Sequence, residues 1–225
     1  MTDDPASDAP LPDDSKLTRS KQRWAQEGRF LTGRITRPDA ERLQPGQHLV
    51  QDWPVLDLGV HPTVSQDRWR LHLYGAVQRP ATWDWKRFMA RPQSTLTSDI
   101  HCVTTWSRYD NGWAGVTTRD LLEEIRPLPT ARFVVLHAHD GYTTNLALED
   151  FAAADALVAH SWQGDPLTPE HGGPARLVVP HLYFWKSAKW LERIEFRTED
   201  APGFWEVRGY HNRADPWREE RYSED

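Results

Sequence analysis

ARFVVLHAHDGYTTNL, residues 131–146, reads as two strands joined by a tight turn. Its first half is apolar and β-branched on both faces, which suits a buried strand. Asp140-Gly141 supplies turn chemistry, and a second strand follows. Working outward, WRLHLYG (69–75) alternates apolar and polar residues and predicts a strand ending at Gly75. STLTSDIHCV (94–103), ADALVAHSW (154–162), RLVVP (176–180) and KWLERIEFR (189–197) add further short strands. HLVQDWPVLDLG (48–59) is apolar and prolyl, suited to an extended segment across a core.

Helices are few and brief. PATWDWKRFMA (80–90) predicts one with Thr82 as N-cap and Pro92 closing it. VTTRDLLEEI (116–125) predicts a second, with Thr117 and Asp120 at capping-box spacing. LEDFAA (148–153) predicts a third, and SKLTRSKQRWAQEG (15–28) a polar surface helix. TTWSRYDNGWAG (104–115) and QGDPLTPEHGGP (163–174) read as loops. Strands and helices do not alternate regularly, so the expected class is α+β with mixed, mainly antiparallel sheets, not a doubly wound fold.

A formal charge of −6 in 225 residues argues against nucleic acid and against an anionic membrane surface as partners. No run of about 18 apolar residues occurs, as a membrane-crossing helix would need. The start, MTDDPASDAPLPDD, carries five aspartates and no apolar stretch, unlike a secretory signal. Residues 1–30 therefore read as disordered or loosely attached, 31–225 as one domain, and the protein as soluble and cytoplasmic. Within that domain 201–225, with Trp205, Tyr210, His211 and Trp217, is too aromatic for a free tail and should fold back as a clasp.

The single cysteine, Cys102, sits in DIHCVTTWSRYDNGW (99–113), at a strand end before a polar loop. A lone cysteine is usually a small core hydrophobe; the alternatives are a soft metal ligand or a nucleophile. His101 is a poor base for it, because adjacent strand residues point to opposite faces. Two further segments concentrate anion-binding groups. PEHGGPAR (169–176) sets His171 and Arg176 around glycines whose amides can approach an anion. PHLYFWKSAKW (180–190) packs Lys186, Ser187 and Lys189 among aromatics, a pattern suited to a phosphate. Twelve tryptophans allow a core, a sugar-stacking surface or the walls of a planar cofactor pocket.

DIHCVTTWSRYDNGW, PEHGGPARLVVP and LYFWKSAKWLERIEF, in this order, resemble the molybdopterin-binding domain of the sulfite oxidase family, especially its short bacterial members. The likeness runs from about residue 45 to about 220. It implies a sulfite-oxidase-like catalytic domain whose molybdenum is held by the Cys102 thiolate and by molybdopterin. It also implies that His171 and Arg176 hold the pterin and its phosphate, with Ser187, Ala188 and Lys189 on the phosphate. Asp52 and Trp53, in QDWP, are weaker candidates for pterin contact. The family's pterin-contacting threonine falls where this chain shows His137-Ala138, which adds His137.

The implied activity is two-electron oxygen-atom transfer to or from a small sulfur or nitrogen substrate, with a separate redox protein exchanging electrons. The paired arginines of animal sulfite oxidases are missing after the cysteine, which leaves Arg108 as the nearest cation in sequence, with Arg213 a second candidate. Cys-Val-x-x-Trp-Ser is closer to the methionine sulfoxide reductase subunit. The rival readings are a tryptophan-rich carbohydrate-binding module and a cofactor-free scaffold with a buried Cys102.

Overall fold

The computed structural model describes residues 42–224 and Arg19. The expectations for residues 1–30, including the polar helix, lie outside the described residues apart from Arg19. Two mixed sheets dominate among the described residues, with three short α-helices between Trp85 and Phe151. Among the described residues the first sheet has six strands. They are β1 (His48–Leu49), β4 (Ser94–His101), β5 (Trp106–Thr117), β8 (Leu157–Trp162), β9 (Asp165–Pro166) and β10 (Arg176–Val178). The second runs in the order β3 (Ala81–Asp84), β2 (Arg70–Gly75), β11 (Leu191–Arg197), β6 (Phe133–Ala138) and β7 (Thr143–Ala147). Most pairs are antiparallel; β1 with β5 and β11 with β2 are parallel. The α+β expectation holds.

The opening stretch is the β6–β7 hairpin, with His137 opposite Thr143. Its turn is closed by the Gly141 N–H on the Ala138 carbonyl and by the Tyr142 N–H on Asp140 Oδ1. β11 is central because it is inward-apolar at Leu191, Ile194 and Phe196 and charged outward at Arg193, Glu195 and Arg197. One continuous core joins both sheets, from Leu71, Leu136 and Ile194 to Ile100, Val158 and Leu177. Four tryptophans are almost fully buried, three of them in this core, and each finds an acceptor for its indole N–H. Trp69 donates to the Leu191 carbonyl, Trp83 to Glu124, Trp113 to Ser98 and Trp190 to the Pro169 carbonyl.

Two sequence readings are corrected. Thr82 is not an N-cap: Ala81–Asp84 pairs with β2, and Asp84 caps α1 (Trp85–Met89) by accepting from the Arg87 N–H. Residues 104–115 are not a loop, for most of them form β5, the long partner of β4 in a hairpin. Asp110-Asn111-Gly112 looks like a turn but is an irregularity inside the ladder, with Asp110 at φ +54°. The buried Asn111 side chain satisfies the disturbed backbone by donating to the Ser98 and Arg108 carbonyls. The helix at Thr118–Ile125 (α2) starts as read, with Thr117 Oγ1 accepting from the Asp120 N–H. The third helix, α3, is the single turn Leu148–Phe151.

Gly75 ends β2 at φ +95°, and a Cβ there would lie 2.2 Å from the Phe196 carbonyl oxygen of β11. Gly75→Ala should destabilise by about 1–3 kcal/mol. Thermal unfolding should show a fall of roughly 2–12 °C in Tm, with the native circular dichroism spectrum retained.

Candidate active site

The reactive segments meet at an open pocket. β4 delivers Cys102 to the pocket in the turn that leads into β5. The turn closes twice: the Cys102 N–H donates to the Trp106 carbonyl at 2.8 Å, and the Thr105 N–H to the Cys102 carbonyl at 3.0 Å. Thr105 takes φ +73° to make the bend. Cys102 is 7% exposed, and its Sγ lies 3.1 Å from Thr104 Oγ1.

His101, one residue earlier, points away into the protein. Its Nδ1 faces Ser107 Oγ at 2.9 Å and its Nε2 the Gln44 amide at 2.7 Å. Burial pushes its pKa down to about 4, so the ring is a neutral structural group rather than a base for the thiol.

The other end of the pocket is cationic. Arg176 opens β10 and is 3% exposed. Its Nη1 donates to the His171 carbonyl at 2.9 Å and its Nη2 to the Ser187 carbonyl at 2.7 Å. The guanidinium lies over the Phe184 ring at 4.3 Å. Among the described residues no carboxylate pairs with it, and burial pulls its pKa down to about 9.

Lys189 Nζ donates to the Glu170 carbonyl at 2.7 Å and lies 3.8 Å from Asp57 Oδ2. Burial, with help from Arg176, lowers the Lys189 pKa to about 8. The His171 ring stacks on Trp53 at 3.9 Å and 17°. Its Nε2 also faces the Trp53 carbonyl at 3.3 Å. Ser187 Oγ accepts from the Val179 N–H, which locks the segment that carries Ala188 and Lys189.

Trp53, Cys102, His171, Arg176, Ser187, Ala188 and Lys189 thus line one pocket. Asp52, Arg108 and His137 do not. Asp52 is exposed beside Trp53. Arg108 is turned onto the Gln51 carbonyl, Asn111 Oδ1 and the Trp162 ring. His137 sits opposite Arg193 and faces Glu195 on the polar side of the second sheet, where strand alternation directs it. Arg213 is held by Asp150 of α3.

Lys186 corrects the expected pair of phosphate-binding lysines. It is fully buried in an ion pair with Glu206 at 2.7 Å and also donates to Asn145. Gly172 and Gly173 are corrected too. Their amides donate to the Pro169 and Thr168 carbonyls, so they are spent within the turn. The glycines are there for close packing: a Cβ would meet Lys189 Cβ at 2.9 Å from Gly172 and the Leu167 carbonyl oxygen at 2.2 Å from Gly173.

The pocket also contains residues that motif spacing did not single out as site members. Asp140, at the β6–β7 turn, lines it with a pKa raised to about 6 by burial. Asp57 lies across Lys189, and Trp106, Trp205 and Tyr210 wall the Cys102 end. The Asp140-Gly141 turn was visible in the sequence, but nothing local says that it reaches this pocket, near Lys189 and Asp57.

The donor set suits one kind of occupant. A soft thiol at one end matches a metal already held by sulfur, and a buried guanidinium without a carboxylate calls for an anion such as a phosphate. The flat aromatic walls between them suit a planar ring. The model for the oxidoreductase molybdopterin binding domain matches residues 58–205. The chain belongs to that family.

It is 48% identical over 185 residues, 82% of this chain and 93% of the relative, to the uncharacterized oxidoreductase YuiH of Bacillus subtilis. It is 29% identical to the protein-methionine-sulfoxide reductase catalytic subunit MsrP of Campylobacter jejuni, covering 63% of this chain but 53% of that protein. Among solved structures, the sulfane dehydrogenase SoxCD of Paracoccus pantotrophus shares the fold at TM-score 0.58 and 22% identity, over 70% of this chain and 46% of that one. The chain spans about half the length of these last two. It is a molybdenum-dependent oxidoreductase with a molybdopterin cofactor.

The neutral His101 makes a pH prediction. Its folded pKa lies below the ordinary 6.5, so its contribution to stability is full above pH 6.5 and is lost as pH falls towards about 4. Tm measured across that window should fall less steeply for His101→Gln than for the parent chain.

Proposed function

We propose that this protein catalyses two-electron oxygen-atom transfer on a small, neutral sulfur- or nitrogen-containing substrate, at a molybdenum held by Cys102. The observation that carries the reading is the separation of charge along the pocket. Arg176 and Lys189 act on each other at one end, while Cys102 adjoins Val103, donates its N–H to the Trp106 carbonyl and lies near Tyr210, on which Trp205 stacks. When bound, the molybdenum–molybdopterin group supplies the oxygen transfer and the two-electron change.

The chain supplies everything else. Cys102 offers the thiolate ligand. Arg176 gives a planar fork, and Lys189 a point charge, to the pterin phosphate. Ser187 and Ala188 shape the same cradle, and His171 stacked on Trp53 braces the pterin. The aromatic wall excludes water from the metal end. The nearby cation Arg221 does not line the pocket but donates to the Val103 and Pro45 carbonyls, which weighs against a role in holding an anionic substrate. Arg108 is engaged by Gln51, Asn111 and Trp162, which weighs against a role in holding sulfite. A separate redox protein exchanges electrons with the cofactor.

Cys102→Ser should abolish turnover, because a hydroxyl is a hard ligand in place of a soft one. Steady-state kinetics with an artificial electron carrier test this and the substrate class. A neutral sulfoxide should be turned over with a KM that Arg108→Gln leaves unchanged. Efficient sulfite turnover with a salt-sensitive KM would overturn the neutral-substrate reading.

The phosphate end gives a second test. Arg176→Ala should lower cofactor affinity roughly tenfold to a hundredfold, and Arg176→Lys should rescue it only in part. Lys189 loses its charge as pH rises through its folded pKa of about 8, so loading of metal-free protein should weaken across that step. Lys189→Arg should move the decline to higher pH, where Arg176 with its pKa of about 9 still titrates. Pterin content after loading, read by fluorescence of the released oxidised pterin, checks all three variants.

A further inference from the structure

The turn that carries Cys102 is gripped by residues outside the part of the chain that the family model matches, residues 58–205. Gln47 Nε2 donates to the Cys102 carbonyl at 3.0 Å. Arg221 Nη1 donates to the Val103 carbonyl at 3.0 Å, across 118 residues of sequence. The His48 N–H donates to the Thr105 carbonyl at 2.8 Å. Arg221 Nη2 reaches the Pro45 carbonyl at 3.2 Å, which ties the two gripping segments to each other. Gln47 is 0% and Arg221 1% exposed, so these bonds are shielded from competing water.

Such a grip is more than a fold needs for an ordinary hairpin turn. The turn already closes on itself through Cys102 and Thr105, yet Thr105 holds a left-handed conformation that a β-branched residue adopts only under constraint. Donors from two remote segments, one of them cationic, supply that constraint at the residues that aim the thiol.

We propose that Gln47 and Arg221 are positioning residues that hold the Cys102 turn in the one conformation presenting Sγ to the metal. The proposal rests on Cys102 being the metal ligand. It makes the C-terminal segment part of the active site: Tyr210 forms a wall, and Arg221 sets the ligand's aim.

The test uses the full-length metal-free chain, in which Cys102 is the only thiol. Alkylation by iodoacetamide then reports opening of this turn alone. Well below the Tm, Arg221→Met should raise the alkylation rate roughly tenfold or more, the loss expected for a buried hydrogen bond to a charged donor. Arg221→Lys should fall between the two. Gly75→Ala, which strains the β2–β11 pair of the second sheet rather than the β4–β5 turn of the first, is the control and should change the rate less than about twofold.

An Arg221→Met rate equal to the parent's, or raised no more than in the control, overturns the proposal. If Arg221→Met does not fold, Gln47→Met is judged by the same criterion. The metal content of Cys102→Ser tests the ligand reading separately, so the two can fail independently.

Discussion

A guanidinium buried without a carboxylate is costly, and Arg176 is the group around which this molecule is organised. Three things keep it in place: two carbonyls that accept from its fork, the Phe184 ring beneath it, and β10, which fixes its Cα. Those carbonyls belong to His171 and Ser187, so the cation ties together the two loops that carry the other pocket residues. The packed glycines serve the same end, since Gly172 lets the 169–174 turn lie directly on Lys189. The second cation is thereby brought beside the first, which adds to burial in lowering the proton affinity of Lys189. An arrangement this unfavourable when empty is favourable when a phosphate occupies it.

The fold class was readable because its strands carry local signals. ARFVVLHAHDGYTTNL has β-branched residues and an Asp-Gly turn, and it is a hairpin in the structure. β5 was illegible for a specific reason. Asp-Asn-Gly is ordinarily a turn, and only the pairing of both flanks with β4 turns it into a kink inside a strand. Thr82 was misread as a cap because its hydroxyl is as suitable as the Asp84 carboxylate. The choice between them is made by β2, which takes Thr82 into the sheet.

The candidate site divides the same way. Motif order was enough to bring forward Cys102, His171, Arg176 and the Ser187–Lys189 run, which share the pocket. Lys186 shows where local reading stops. Its charge looked available in sequence, but Glu206, 20 residues on, buries it in an ion pair. Asp140 and Tyr210 could not be assigned from spacing, since each reaches the pocket through a tertiary fold-back. His137 had the opposite fate. It lies on a strand that borders the site, but alternation sends its ring to the far face of the sheet.

The pocket draws Trp53 from near the start of the described chain and Tyr210 from near its end, with β11 parallel to β2 across more than a hundred residues. Such pairings form late, because closing a long loop costs entropy before any contact rewards it. The cradle is therefore incomplete until the segments carrying Tyr210 and Arg221 have been made and folded back, and the cofactor has a finished site only after that. A chain cut short before Tyr210 and Arg221 would lack both a wall of its site and the grip on its cysteine.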